Sequence, residues 1–136
     1  MAGYSGTPLI QKLGIQPGFG VLVLREPESY WRWLGPLPDD VQIKSKAIAR
    51  SLDFIHLFEM EYKVFETDLM RYREALKPTG MMWISWPKRS SRVPTDMDEN
   101  AIRNLALKNE LVDIKVCAVD EVWSGLKLVI PVKNRK

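Results

Sequence analysis

The chain has 136 residues, enough for one domain, and reads as a single domain over 1–136 with its core over 20–132. A formal charge of +3, with 27% charged and 46% hydrophobic residues, is ordinary for a globular protein; nucleic-acid binding would need that charge gathered on one face and is not expected. A single cysteine excludes an internal disulfide, no apolar run reaches the ~20 residues of a membrane span, and no signal-peptide pattern opens the chain, so no membrane is expected and the expected location is the cytoplasm.

In chain order, Thr7, Pro8 and Gly14 read as cap, first residue and left-handed stop of a short helix. Val21–Leu24 is a run of branched apolar residues, as in a strand covered on both faces. Pro27 starts and Gly35 ends a helix with Tyr30, Trp31 and Leu34 on one face. Pro36-Leu37-Pro38 is a rigid loop, and Val41–Lys44 is a weak, short strand. Leu52–Phe58 is a second apolar strand.

Phe65, Leu69, Tyr72 and Leu76 recur at helical spacing and predict a helix over 61–76, with Asp68 and Arg71 paired on its outer face. Pro78-Thr79-Gly80 stops it before a third strand, Met81–Trp86. Thr95 caps a helix carrying Ala101, Ile102, Leu105 and Ala106 inward, and Asn109 ends it in the left-handed region. Val112–Val119 and Leu126–Val132 are strands whose link is too short for a crossover, so the last runs antiparallel.

Strands alternating with helices predict an α/β fold: a mostly parallel, Rossmann-like sheet, helices on both faces, and a C-terminal antiparallel hairpin. Val21–Leu24, Leu52–Phe58, Met81–Ser85 and Val112–Val119 are expected as parallel neighbours. Ligands in such sheets bind beyond the carboxyl ends of the strands. That rule selects four segments, Arg25–Ser29, Glu59–Glu61, Trp86–Arg92 and Asp120–Ser124.

Leu52-Asp53-Phe54-Ile55 and Leu76-Lys77-Pro78-Thr79-Gly80, followed by the terminal hairpin, resemble the second half of a class I methyltransferase that uses S-adenosylmethionine (SAM). The chain as a whole resembles an uncharacterised bacterial family of short, methyltransferase-like proteins, on SWPK, VPTD and VCAVDEVWSGLK. The resemblance implies a truncated methyltransferase-like fold. It also implies a glycine-rich turn and an acidic residue after the first strand, and a ribose-binding carboxylate after the second. The sequence departs at both places. Gly18 and Gly20 precede the first strand, Arg25, Glu26 and Pro27 follow it, and Lys44, Ser45 and Lys46 follow the second. Pro27 has no N–H to offer a ligand. No cofactor is expected, and SAM is expected to bind weakly or not at all.

Lys88, Arg89 and Arg92, with Ser90 and Ser91, read either as a solvated basic loop or as an anion site leading into a capped helix. The rim candidates are Arg25, Glu26, Trp86, Asp120, Glu121 and Trp123. Trp86 and Trp123 stack a ligand or seal the core, and Asp120 and Glu121 are expected to pair with Lys88 or Arg89. A ligand is expected to be anionic and to lie between Lys88–Arg92 and Trp123. His56, the only histidine, reads as a hydrogen-bonded strand residue rather than a general base, and Cys117 as a buried thiol. Trp83 is expected in the core.

Together these features favour a noncatalytic domain that binds an anionic small molecule or a protein partner. The alternative is a small SAM-dependent methyltransferase with an unusual cofactor loop. A third reading is weak RNA binding through Lys88–Arg92 and the terminal Lys133, Arg135 and Lys136.

Overall fold

The computed structural model describes residues 7–135; Lys136 of the basic tail lies outside them. The elements are α1 (Leu9–Leu13), β1 (Gly20–Leu24), α2 (Tyr30–Leu34), β2 (Gln42–Ile43), β3 (Leu52–Phe58), α3 (Tyr62–Arg73), β4 (Leu76–Pro87), α4 (Glu99–Lys108), β5 (Val112–Ala118) and β6 (Trp123–Val129). They form a six-stranded sheet in the order β2-β1-β3-β4-β6-β5. β2, β1, β3 and β4 are parallel, and β6 is antiparallel to both β4 and β5.

The central strands are apolar on both faces because each face is covered. Phe54, Phe58 and Trp83 pack with Leu13, Tyr30 and Leu34 from α1 and α2. Ile55, Leu57, Met82 and Ile84 pack with Phe65 and Leu69 of α3 and Ile102 of α4. Trp83 is fully buried, as expected, and its Nε1 donates to the Leu13 carbonyl at 2.9 Å. This bond ties α1 to the middle of the sheet.

Several boundaries differ from the sequence reading. β5 does not neighbour β4: its short link folds β6 back beside it, and β6 takes the free edge of β4, leaving β5 at the sheet edge. α3 ends at Arg73, and Leu76-Lys77-Pro78-Thr79-Gly80 belongs to β4, because Leu76 already pairs with Leu52. The pairing shifts between Leu52 and Phe54, and Gly80 fits there because a Cβ would come within 2.7 Å of Leu76 Cδ1 and 3.0 Å of the Leu52 carbonyl. Pro8, not Thr7, holds the N-cap position of α1, and Pro27 opens a turn before α2 rather than the helix itself.

Asp98, not Thr95, caps α4 by accepting from Ala101 N at 2.8 Å, while the Thr95 hydroxyl donates to the Met60 carbonyl. Glu110 rather than Asn109 takes the left-handed conformation after α4. β6 starts earlier than expected, at Trp123, because Trp123 pairs with Pro87. Among the described residues no helix is long and apolar enough to cross a membrane.

Candidate functional site

The parallel strands deliver Arg25, Glu59 and Lys88 to one edge, and antiparallel β6 begins there with Trp123. A cleft of about 560 Å³ opens between the ends of β1, β3 and β6 and the start of α3. Its apolar wall is Pro27, Phe58, Met60, Val64 and Trp123. Phe58 and Trp123 meet edge to face at 5.1 Å. Its charged lining is Arg25, Glu59 and Glu61.

Arg25 stands where a methyltransferase-like sheet would turn on glycines. Its backbone is left-handed, φ 59°, a conformation that disfavours a side chain. Its guanidinium crosses from β1 to α3, donating to Glu59 Oε1 at 2.8 Å and forming an ion pair with Asp68 Oδ2. The expected Asp68–Arg71 pair is therefore replaced, because Asp68 faces the rim instead. Glu26 accepts from Trp31 Nε1 at 3.0 Å, so this carboxylate is occupied by its own helix.

Glu59 is the residue that the sequence reading passed over within a segment it had marked. It is 1% exposed, and its Oε2 has no hydrogen-bond partner among the described residues. Burial, with the Asp68 carboxylate beside it, pushes its acid up to about 8. Arg25 pulls the other way and loses, because it is half-exposed and its charge is shared with Asp68.

The remaining candidates separate. Trp86 is 6% exposed and packs in the core with Met97, and what it leaves open lines the depression beside Arg89 and Arg92. Trp123 is half-buried and lines the cleft. Asp120 does not pair with Lys88 or Arg89; its Oδ1 accepts from Val122 N and Trp123 N and shapes the turn. Glu121 likewise makes no ion pair with them among the described residues. The Lys88 N–H joins the Val122 carbonyl at 2.8 Å, so the two loops touch. Arg89 and Arg92, however, line a different depression of about 390 Å³, shared with Asp96 and Asp98. Lys88, Arg89 and Arg92 form no ion pair among the described residues, and Ser90 lies in a 3-10 turn, Arg89–Ser91.

His56 has the spacing of a nucleophile–base pair without its access. Its Nε2 lies 2.8 Å from Ser85 Oγ and its Nδ1 lies 2.9 Å from the Tyr30 hydroxyl. All three are fully buried, and burial lowers the imidazole to about 3. A neutral ring holding two hydroxyls knits α2 to β3 and β4; no substrate reaches it. Cys117 is half-buried rather than buried, and that partial burial raises its thiol above the ordinary value, which disfavours a reactive thiolate. Asp53 accepts from Gly20 N at 2.8 Å and pairs with Lys77 at the far edge of the sheet. Among the described residues no cluster of side chains suits a metal.

No protein-family model matches the sequence, and no curated protein matches it. The fold is that of SAM-dependent methyltransferases. A putative type 11 methyltransferase from Sulfolobus solfataricus is 17% identical, with a TM-score of 0.58 over 86% of this chain and 87% of that one. A SAM-dependent methyltransferase from Aquifex aeolicus is 13% identical, with a TM-score of 0.54 over 90% and 87%. The protein of the DhpI–SAH complex is 13% identical, with a TM-score of 0.60 over 89% and 81%.

Proposed function

We propose that this chain is a noncatalytic ligand-binding domain on a methyltransferase-like scaffold, and that its ligand occupies the cleft beside Arg25, Glu59 and Trp123. One observation carries the reading: Arg25 lies across the crevice, bonded to carboxylates on β3 and α3. The turn after β1 supplies no glycine, Pro27 supplies no N–H, and β2 is followed by Lys44 rather than a carboxylate. These residues do not fit SAM. Swinging Arg25 aside for a cofactor would take the cation from Asp68 and remove the donor to Glu59 Oε1.

Incubation of the protein with methyl-labelled SAM and mixed protein, RNA and small-amine acceptors is expected to transfer no label above a protein-free control. Label on any acceptor class would replace this reading with the methyltransferase one.

The unpaired cations of the 88–92 loop favour a second, separate proposal: an anion held by Arg89 and Arg92 in their own depression, apart from Trp123. Phosphate or sulfate is then expected to raise the melting temperature of the parent, more so at low salt. The double variant Arg89→Ala, Arg92→Ala should lose that gain with its unliganded stability nearly unchanged. Equal shifts in the two proteins would make the loop a solvated face.

A further inference from the structure

We propose that the cleft is selective for an organic ammonium ion with a small apolar or aromatic body, its N–H groups directed to Glu59. This deepens, and rests on, the reading of the cleft as a ligand site. Three observations meet there. The first is charge. The cleft's lining carries one cation, Arg25, against two acidic side chains, Glu59 and Glu61; once Glu59 loses its proton the lining is net negative, and Arg25 is further matched by Asp68 behind it. An added cation improves that balance and an added anion worsens it.

The second is the carboxyl oxygen Glu59 Oε2, buried and with no hydrogen-bond donor to it among the described residues, the Asp68 carboxylate lying beside the group, on a side chain that lines the cleft. A buried acceptor left unmade is costly, and a donor brought by a ligand recovers that cost. A charged donor recovers more than a neutral one. The third is the wall. Trp123, backed edge to face by the buried Phe58, supplies aromatic surface, and Met60 and Val64, both partly open to solvent, supply deformable apolar contact. Aromatic faces attract ammonium ions as well as apolar groups. The volume of about 560 Å³ suits a small molecule rather than a polymer.

The test uses three probes of similar shape and different charge: phenethylammonium, 2-phenylethanol and phenylacetate. Each is titrated into the full chain at pH 8.5, above the value of about 8 at which Glu59 loses its proton and with the ammonium still charged, with binding followed by Trp fluorescence and by chemical-shift mapping. The expected result is saturation by phenethylammonium, at least about tenfold weaker binding of the alcohol, and no saturation by phenylacetate. Shifts should centre on Met60, Val64 and Trp123. Glu59→Gln should weaken the ammonium about tenfold or more. If that variant fails to fold, Glu61→Gln and Trp123→Ala, on the surface side of the cleft, should each weaken it severalfold.

Equal binding of alcohol and ammonium, saturation by phenylacetate, or shifts away from the cleft would overturn the ammonium assignment. So would a failure of the ammonium to saturate. Each of these leaves the noncatalytic reading standing. Label transfer from SAM overturns that reading instead, so the two failures are distinguishable.

Discussion

His56→Leu is expected to cost about 3–5 kcal/mol. Leucine fills part of the volume but strands the Tyr30 and Ser85 hydroxyls, both buried between α2 and the middle of the sheet. An orphaned buried hydroxyl costs about 1–3 kcal/mol, and total stability for a domain of this size is only about 5–15 kcal/mol. Adding Tyr30→Phe and Ser85→Ala to the same protein should recover part of the loss, because no unpaired polar atom then remains. Urea denaturation of the parent, the single variant and the triple variant measures this. A loss below about 1 kcal/mol in the single variant would mean that water replaces the imidazole and that the network is not what joins α2 to the sheet.

Stability should be greatest on a mildly acidic plateau and should fall on both sides. The imidazole of His56 sits at about 3 when folded and near its ordinary 6.5 when unfolded. Between those values the unfolded chain binds the extra proton, so stability falls as pH drops from 6.5 toward 3. Glu59 acts in the opposite sense. Its acid sits at about 8 when folded against 4.5 when unfolded, so the folded chain holds the extra proton and stability falls as pH rises from 4.5 through 8.

Between 4.5 and 6.5 the two slopes cancel. Above 6.5 only Glu59 acts, with a slope of up to ~1.4 kcal/mol per pH unit. Glu59→Gln should therefore flatten the fall between pH 6.5 and 8 while leaving the acid limb unchanged. A variant whose melting temperature still falls as steeply as the parent's over that range would show that Glu59 is ionised in the folded protein and that Arg25 wins over burial.

Much of the fold is legible in the sequence because burial writes it there. Leu52–Phe58 and Val21–Leu24 are continuous apolar runs, and both are central parallel strands. Phe65, Leu69 and Tyr72 mark the inner face of α3 at helical spacing. The end of that helix is not legible: Leu76 continues the helical spacing, but pairing with Leu52 takes it into β4. Strand order at the hairpin is hidden too, since a short link requires that β5 and β6 pair but says nothing of which one meets β4.

The site is legible by position more than by residue. The rule of strand ends selects Arg25, Glu59 and Trp123 together. It does not reveal that Arg25 reaches Asp68, because a long side chain in a left-handed turn has no sequence pattern. Nor does it separate Trp86 from Trp123, which lie one position out of register on the paired strands β4 and β6 yet differ in burial. A cluster of cations at 88–92 is conspicuous in sequence, whereas a single glutamate is not. The unpartnered oxygen of Glu59 becomes visible only when its surroundings are assembled.

The central claim is that this scaffold has no working SAM cradle. Calorimetric titration of the unmodified protein with SAM, and in parallel with SAH, tests it most directly. The missing glycine turn and ribose carboxylate each remove contacts worth several kcal/mol, so the account predicts no saturable heat at ligand concentrations up to about 100 μM. A dissociation constant in the low micromolar range would contradict it, and would mean that Arg25 leaves the crevice and another segment holds the cofactor.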